Sequence, residues 1–250
     1  MISAFQPLRE TGFEIELLHH AEAIISVDFP EAVEELCQTL AVASIPIAEI
    51  VGSGGGEAKG TQRLRKALAA LDWKKGKFEI RKTINGIERE SISHEVDHVR
   101  RFAGGHAIAL EIEWNNKDPF FDRDLENFKR LHAEGAISIG IIVTRGSSLQ
   151  DQLLSFVRAW AERNAVDDFD ALGGLGITPT SRQRAEVLKR VQRSLNPVPF
   201  REAWAEHFIS DKFGAATTHW SKLMDRVRRG VGNPCPLILI GLPASLVKMD

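Results

Sequence analysis

Residues 93–118 read SHEVDHVRRFAGGHAIALEIEWNNKD, two strand-like runs joined by a short turn at Gly104-Gly105. They carry three carboxylates, Asp97, Glu111 and Glu113. Side chains two apart on a strand share a face, so Glu111 and Glu113 point the same way. Ile108, Leu110, Ile112 and Trp114 have the opposite parity and form a face that seeks a core. The acidic face is then expected to look into a cleft or into water. A three-residue turn sets Asp97 opposite one of the glutamates, whereas a two-residue turn pairs it with Ile112 on the other face. Acids so crowded repel one another unless a divalent cation sits between them, and a hard cation such as magnesium suits oxygen donors. The bland alternative is a solvated strand face. The apolar run beside the acids favours the chemical reading, a metal-dependent hydrolytic site.

The chain is 250 residues long, enough for one large domain or two small ones. Its formal net charge is −2, so no global field marks an anionic partner. Basic residues are nonetheless clustered. Lys59, Arg63, Arg65, Lys66, Lys74, Lys75, Lys77, Arg81 and Lys82 crowd one stretch. Arg182, Arg184, Lys189, Arg190 and Arg193 form a second, and Lys222, Arg226, Arg228 and Arg229 a third. Each alone reads as a solvated helix face; three beside an acidic site keep a nucleic-acid partner in play. Cys37 and Cys235 lack metal-ligand spacing and are expected to be reduced, buried thiols of a cytoplasmic protein. No membrane span and no signal-peptide pattern is visible.

Along the chain, Phe13–Leu17, Ala23–Val27 and IPIAEIV (45–51) are read as strands, and Pro30 opens a helix with early acids. The glycine run 52–56 lacks the lysine-hydroxyl ending of a phosphate-cradling loop and reads as a connector. Glu57–Leu71 has the stripe of an amphipathic helix with a basic outer face. Asn85-Gly86 signals a hairpin between strands 77–84 and 87–100. The acidic strand, 106–115, follows, then a helix striped by Phe121, Leu125, Phe128 and Leu131 and a buried strand from Ile137 to Val143. A helix over Leu149–Asn164, a loop over 167–180, a helix capped by Ser181, another around Trp220 and a strand at Leu237–Leu242 complete the reading. The result is an α/β protein, a mixed central sheet flanked by helices.

The segments HEVDHV (94–99), ALEIEWNNKDPFFDRDLENFKRLH (109–132) and ISIGIIVTRG (137–146) resemble the core of the PD-(D/E)xK nuclease fold. The resemblance is closer to the BglII/BstYI family of type II restriction endonucleases. KFGAATTHWSKL (212–223) and CPLILIGL (235–242) resemble the downstream part of that family. These segments cover about a quarter of the chain; residues 1–50 and 165–210 carry no such likeness.

The resemblance implies a restriction-endonuclease-like core over 1–250, acting as a homodimer that cuts duplex DNA within a palindrome centred on GATC, with Mg2+. By position, Asp97 and Glu111 would bind the metal together with the backbone carbonyl of Ile112. Glu113 stands where most of the wider fold has lysine, which leaves the general base open, and Glu57 is the candidate for a further acid from a preceding helix. Asn115, Asn116 and Lys117 follow the acidic strand and could reach bases. Arg123 could pair with guanine or, equally, with Asp122 or Asp124. Thr217, Thr218, His219 and Lys222 open the late helix, where phosphate contact competes with helix capping and plain solvation. His219 and His19-His20 are not expected to bind metal. Residues 165–210 are read as a helical insertion, a DNA-clasping arm or a dimer element. Rival readings are a repair nuclease without site specificity, a catalytically silent DNA-binding module, and a small-molecule metal phosphohydrolase.

Overall fold

The computed structural model describes residues 4–52 and 58–249, and leaves the side chains of Arg89, Glu90 and Ile92 outside that description. Its elements in chain order are α1 (Gln6–Glu10), β1 (Glu14–Leu18), α2 (Ala21–Asp28), α3 (Pro30–Ala41), β2 (Ile45–Pro46), α4 (Ile47–Val51) and α5 (Lys59–Ala70). Then come β3 (Lys74–Ile84), β4 (Ile87–Arg101), β5 (Ala107–Glu113), α6 (Phe120–Ala133), β6 (Ile139–Arg145) and α7 (Ser147–Arg163). Last are α8 (Phe169–Gly174), α9 (Ser181–Val191), α10 (Phe200–Phe213), α11 (Trp220–Arg228), β7 (Leu237–Leu242) and β8 (Val247–Lys248).

Six strands form one sheet in the order β1-β7-β6-β5-β4-β3, and β2 pairs with β8 apart from it. β5, β6 and β7 run parallel, while β1, β4 and β3 pair antiparallel at the flanks, so the sheet is mixed as expected. Parallel central strands must be covered on both faces. One face is covered by α6 and α11, through Phe121, Leu125, Phe128, Trp220 and Leu223. The other carries the larger core, with α1–α5 and α7–α10 contributing. Gly140 on β6 lets α6 approach: a Cβ there would stand 2.7 Å from Phe128 Cγ.

Several local expectations give way to packing. Ala23–Val27 belongs to helix α2, because Ala21 and Ile25, four apart, bury one side of the turn. IPIAEIV holds only a two-residue strand; Ile47, Ile50 and Val51 have helical spacing and form α4. The loop expected over 167–180 contains α8, capped by Asp168, whose carboxylate accepts from Ala171 N at 2.8 Å. α9 is capped by Thr180 rather than Ser181, in a capping box with Gln183. The apolar residues of α10 are spread around the helix, so no stripe announces it. Within 165–210 lie α8, α9 and most of α10, whose Leu172, Val187, Ala203 and Trp204 pack into the larger core. Among the described residues no helix is long and apolar enough to cross a membrane. Cys37 is half-buried and Cys235 buried, both free.

Candidate active site

The β4–β5 hairpin sets the register on which the site depends. Arg101 pairs with Ala107, Arg100 with Ile108, Val99 with Ala109 and His98 with Leu110. Phe102 N donates to His106 O at 2.9 Å, which leaves Ala103, Gly104 and Gly105 as the turn. Both glycines have positive φ, 77° and 85°, a backbone that other residues adopt only under strain. The ladder ends at His98–Leu110; this register is that of the three-residue alternative, and the Asp97 backbone N–H donates to the Glu111 carboxylate. On its other side β4 pairs Val96 with Gly76 and Val99 with Lys74, a register shift that gives β4 one extra residue around Asp97-His98. Such bulges re-aim side chains. Here His98 is buried, its Nδ1 3.2 Å from Leu110 O, while Asp97 is exposed.

Of the two alternatives for the acidic face, open water is not the one observed. Glu111 and Glu113 are 4 % and 3 % exposed because α6 lies across their face of the sheet. Asp124 of α6 joins them, fully buried. Burial first, then the charges of Asp124, Asp97 and Glu113, push the Glu111 pKa up to about 9. Burial and Asp124 raise Glu113 to about 8 against the opposing hydrogen bond from Asn116 Nδ2, at 2.7 Å from Glu113 Oε2. Burial also raises Asp124, with Arg123 opposing. Arg123 Nε donates to Asp124 Oδ1 at 2.8 Å, and its Nη2 stands 3.7 Å from Glu113 Oε1. Of the partners open to Arg123 within the chain, Asp124 is the one engaged. Asp124 Oδ2 is buried without a hydrogen-bond partner.

The two groups of DNA-contact candidates, a hundred residues apart in sequence, meet at the end of β5. Lys117 bridges to Thr217, Thr218 N donates to Asn116 O at 2.8 Å, and Asp118 N donates to Ala216 O at 3.0 Å. Asn115, Asn116 and Lys117 are exposed; Thr218 and His219 are buried, so they support the loop from within. His219 Nδ1 lies 3.2 Å from Ser221 Oγ, and Lys222 Nζ lies 3.8 Å from Asp118. Ile112 is half-buried against the larger core, on the face away from the acids. Glu57 lies outside the described residues. Many of the clustered basic side chains are paired: Lys74 with Asp72, Lys75 with Glu95, Lys77 and Arg81 with Glu79, and Arg226 with Asp118 and Asp122.

Two residues of the site escape the sequence reading. Asp124 had a signal: it occupies the helical stripe Phe121, Asp124, Leu125, Phe128, where an acid is out of place unless it has work there. Arg145, at the end of β6, is fully buried. Its Nη1 donates to Trp114 O, Nη2 to Thr217 Oγ1 at 2.8 Å and Nε to Gln150 Oε1 at 2.9 Å. The rings of Trp114 and Phe213 flank it. It fastens both loops to the sheet, and an arginine closing a strand carries no sequence sign of that.

Among the described residues no three or more His, Cys, Asp or Glu side chains converge closely enough to hold a metal ion. The donors fit a hard cation in kind: carboxylates side by side, two of them with pKa values raised first by burial and then by neighbouring acids, and one buried oxygen without a hydrogen-bond partner. No curated protein matches the chain. The family model described as restriction endonuclease BglII/BglIII matches residues 13–242, which spans β1 to β7 and every residue of the cluster. With that match over nearly its whole length, the chain belongs to the BglII/BglIII restriction endonuclease family.

Proposed function

We propose that the chain is a site-specific endonuclease, one endonuclease unit per 250 residues, that hydrolyses both strands of DNA within a short GATC-centred palindrome. The observation that carries this is the Asp97 backbone N–H on the Glu111 carboxylate at the end of the β4–β5 ladder, with Glu113 buried beside them, in a member of this family. Asp97 and Glu111, with the Ile112 carbonyl, would hold Mg2+. Bound there, the ion lowers the pKa of water and offsets charge that builds on the phosphate. Glu113 orients the attacking water, and Asn116 keeps its carboxylate in place at 2.7 Å. The α6 cover excludes bulk water from the acids, which strengthens every charge interaction there. Asn115, Asn116 and Lys117 face the bases, with Thr217, Thr218, His219 and Lys222 behind them on the adjoining loop and helix. A palindrome calls for a two-fold partner, so the active form is a homodimer.

Digestion of a plasmid of known sequence with Mg2+, followed by sequencing of the ends, tests this. A fixed band pattern with GATC at the centre of every site is expected. A smear would favour a nuclease without site specificity, and no turnover would favour a silent DNA-binding module.

A further inference from the structure

A phosphodiester brought to the buried acids carries negative charge of its own, and a protein cation beside them would add to what an ion can offset. Arg123 is placed for it. Its Nε and Nη2 both stand 2.8 Å from Asp124 Oδ1, and its Nη2 lies 3.7 Å from Glu113 Oε1. The guanidinium sits 4.4 Å from the centre of the Phe120 ring, which backs it. Glu113 and Asp124 are almost wholly buried, yet half of the Arg123 side chain is exposed. One edge of the fork is thus anchored in the acid cluster, and the rest of the group faces out.

We infer that Arg123 contacts the scissile phosphate, with Asp124 as its anchor, rather than a base edge; this rests on the endonuclease reading above. The reason is distance. Beyond the ion and the attacking water, the DNA group that comes within a few ångströms of Glu111 and Glu113 in that reaction is the phosphate under attack, and Arg123 is already that close to Glu113. A guanine edge in the groove would lie farther out, and reaching it would break the Asp124 fork. A guanidinium there also brings the positive charge that Glu113 cannot bring.

The test compares the wild-type chain with Arg123→Gln and Arg123→Lys. Single-turnover cleavage is followed in Mg2+, and binding of cognate and non-cognate duplexes in Ca2+. Arg123→Gln is expected to slow cleavage by about 100-fold or more, the scale of losing one preorganised donor. Its affinity should fall equally on both duplexes, with the salt slope reduced by about 1. On a duplex bearing a neutral methylphosphonate at the bond the wild-type chain cuts, the variant should lose no further affinity. Arg123→Lys should keep the salt slope and recover part of the rate. Affinity lost on the cognate duplex alone, with relaxed base preference, would make Arg123 a base reader and overturn the inference. Full-rate cleavage by Arg123→Gln would overturn it too. Should the glutamine variant not fold, the lysine variant decides: wild-type rate with a fallen salt slope counts against the phosphate contact. Failure of the wild-type chain to cut any DNA would remove the endonuclease reading itself, and this inference with it.

Discussion

Glu111→Gln is expected to abolish cleavage and, in the same protein, to raise the Tm of the metal-free chain. Both effects have one origin. The folded chain holds Glu111 with a pKa of about 9, against 4.5 for an ordinary glutamate, because burial and neighbouring acids penalise its charge. A carboxyl raised in this way costs nothing below pH 4.5, where it is protonated in both folded and unfolded chains. As pH rises from 4.5 toward 9 the unfolded chain sheds the proton and the folded chain cannot, so stability falls across that window and levels off above it. Glutamine keeps the shape and the acceptor for the Asp97 N–H but carries no charge to bury. The gain near pH 8 is at most on the order of 5 kcal/mol, which for a chain of this length is roughly 10 to 20 °C in Tm. Thermal melts from pH 5 to 9, with and without EDTA, read it directly. The variant's melts should be flatter with pH and higher at the alkaline end. Divalent metal should restore much of the wild-type stability by mass action and do little for the variant. A lower Tm for Glu111→Gln with an unchanged pH slope would mean that the folded chain ionises Glu111 as readily as the unfolded chain does.

Arg145→Ala is expected to cost on the order of 4 kcal/mol and to abolish DNA binding with it. The side chain is fully buried and donates to Trp114 O, Thr217 Oγ1 and Gln150 Oε1. Burial lowers its pKa to about 9, yet those acceptors and the flanking Trp114 and Phe213 rings keep the guanidinium charged at neutral pH. Removing it leaves acceptors unpaired in the interior and a void between two aromatic rings. It also unfastens the loop after β5 from the loop before α11, the two segments that carry the DNA-contact candidates. Lysine cannot replace it, since one ammonium lacks the planar fork that spans three partners. Chemical denaturation, together with duplex affinity in Ca2+, separates the two consequences. An unchanged midpoint with wild-type affinity would show that the loops hold together without this residue.

Much of the fold was legible wherever periodicity and turn chemistry agreed. Asn85-Gly86 joins β3 and β4, and Phe121, Leu125, Phe128 and Leu131 lie on the buried side of α6 as their spacing requires. The register of Asp97 against Glu111 was open between two turn lengths, and three-dimensional closure through Gly104-Gly105 selected one. Short apolar runs misled: Ala23–Val27 and Ile47–Val51 are helical because tertiary contacts, rather than β-branched content, decide a segment of five residues. α10 was illegible because both α7 and α9 pack against it, so its apolar residues follow no single stripe. The burial of Glu111 and Glu113 could not be read from alternation alone. Alternation tells which side chains share a face, and only the position of α6 tells what covers that face. Arg145 acts through Trp114, Thr217 and Gln150 on other elements, so its place at the end of β6 says little about its role, whereas Asp124 was legible as an acid out of place in the apolar stripe of α6.

The most direct measurement is Asp97→Ala, tested in parallel by gel shift and by cleavage in Mg2+. If neighbouring strands assemble an oxygen-donor site for an ion held against the DNA backbone, the variant retards the duplex like the wild-type chain and leaves it uncut. Cutting at the wild-type rate would contradict that account.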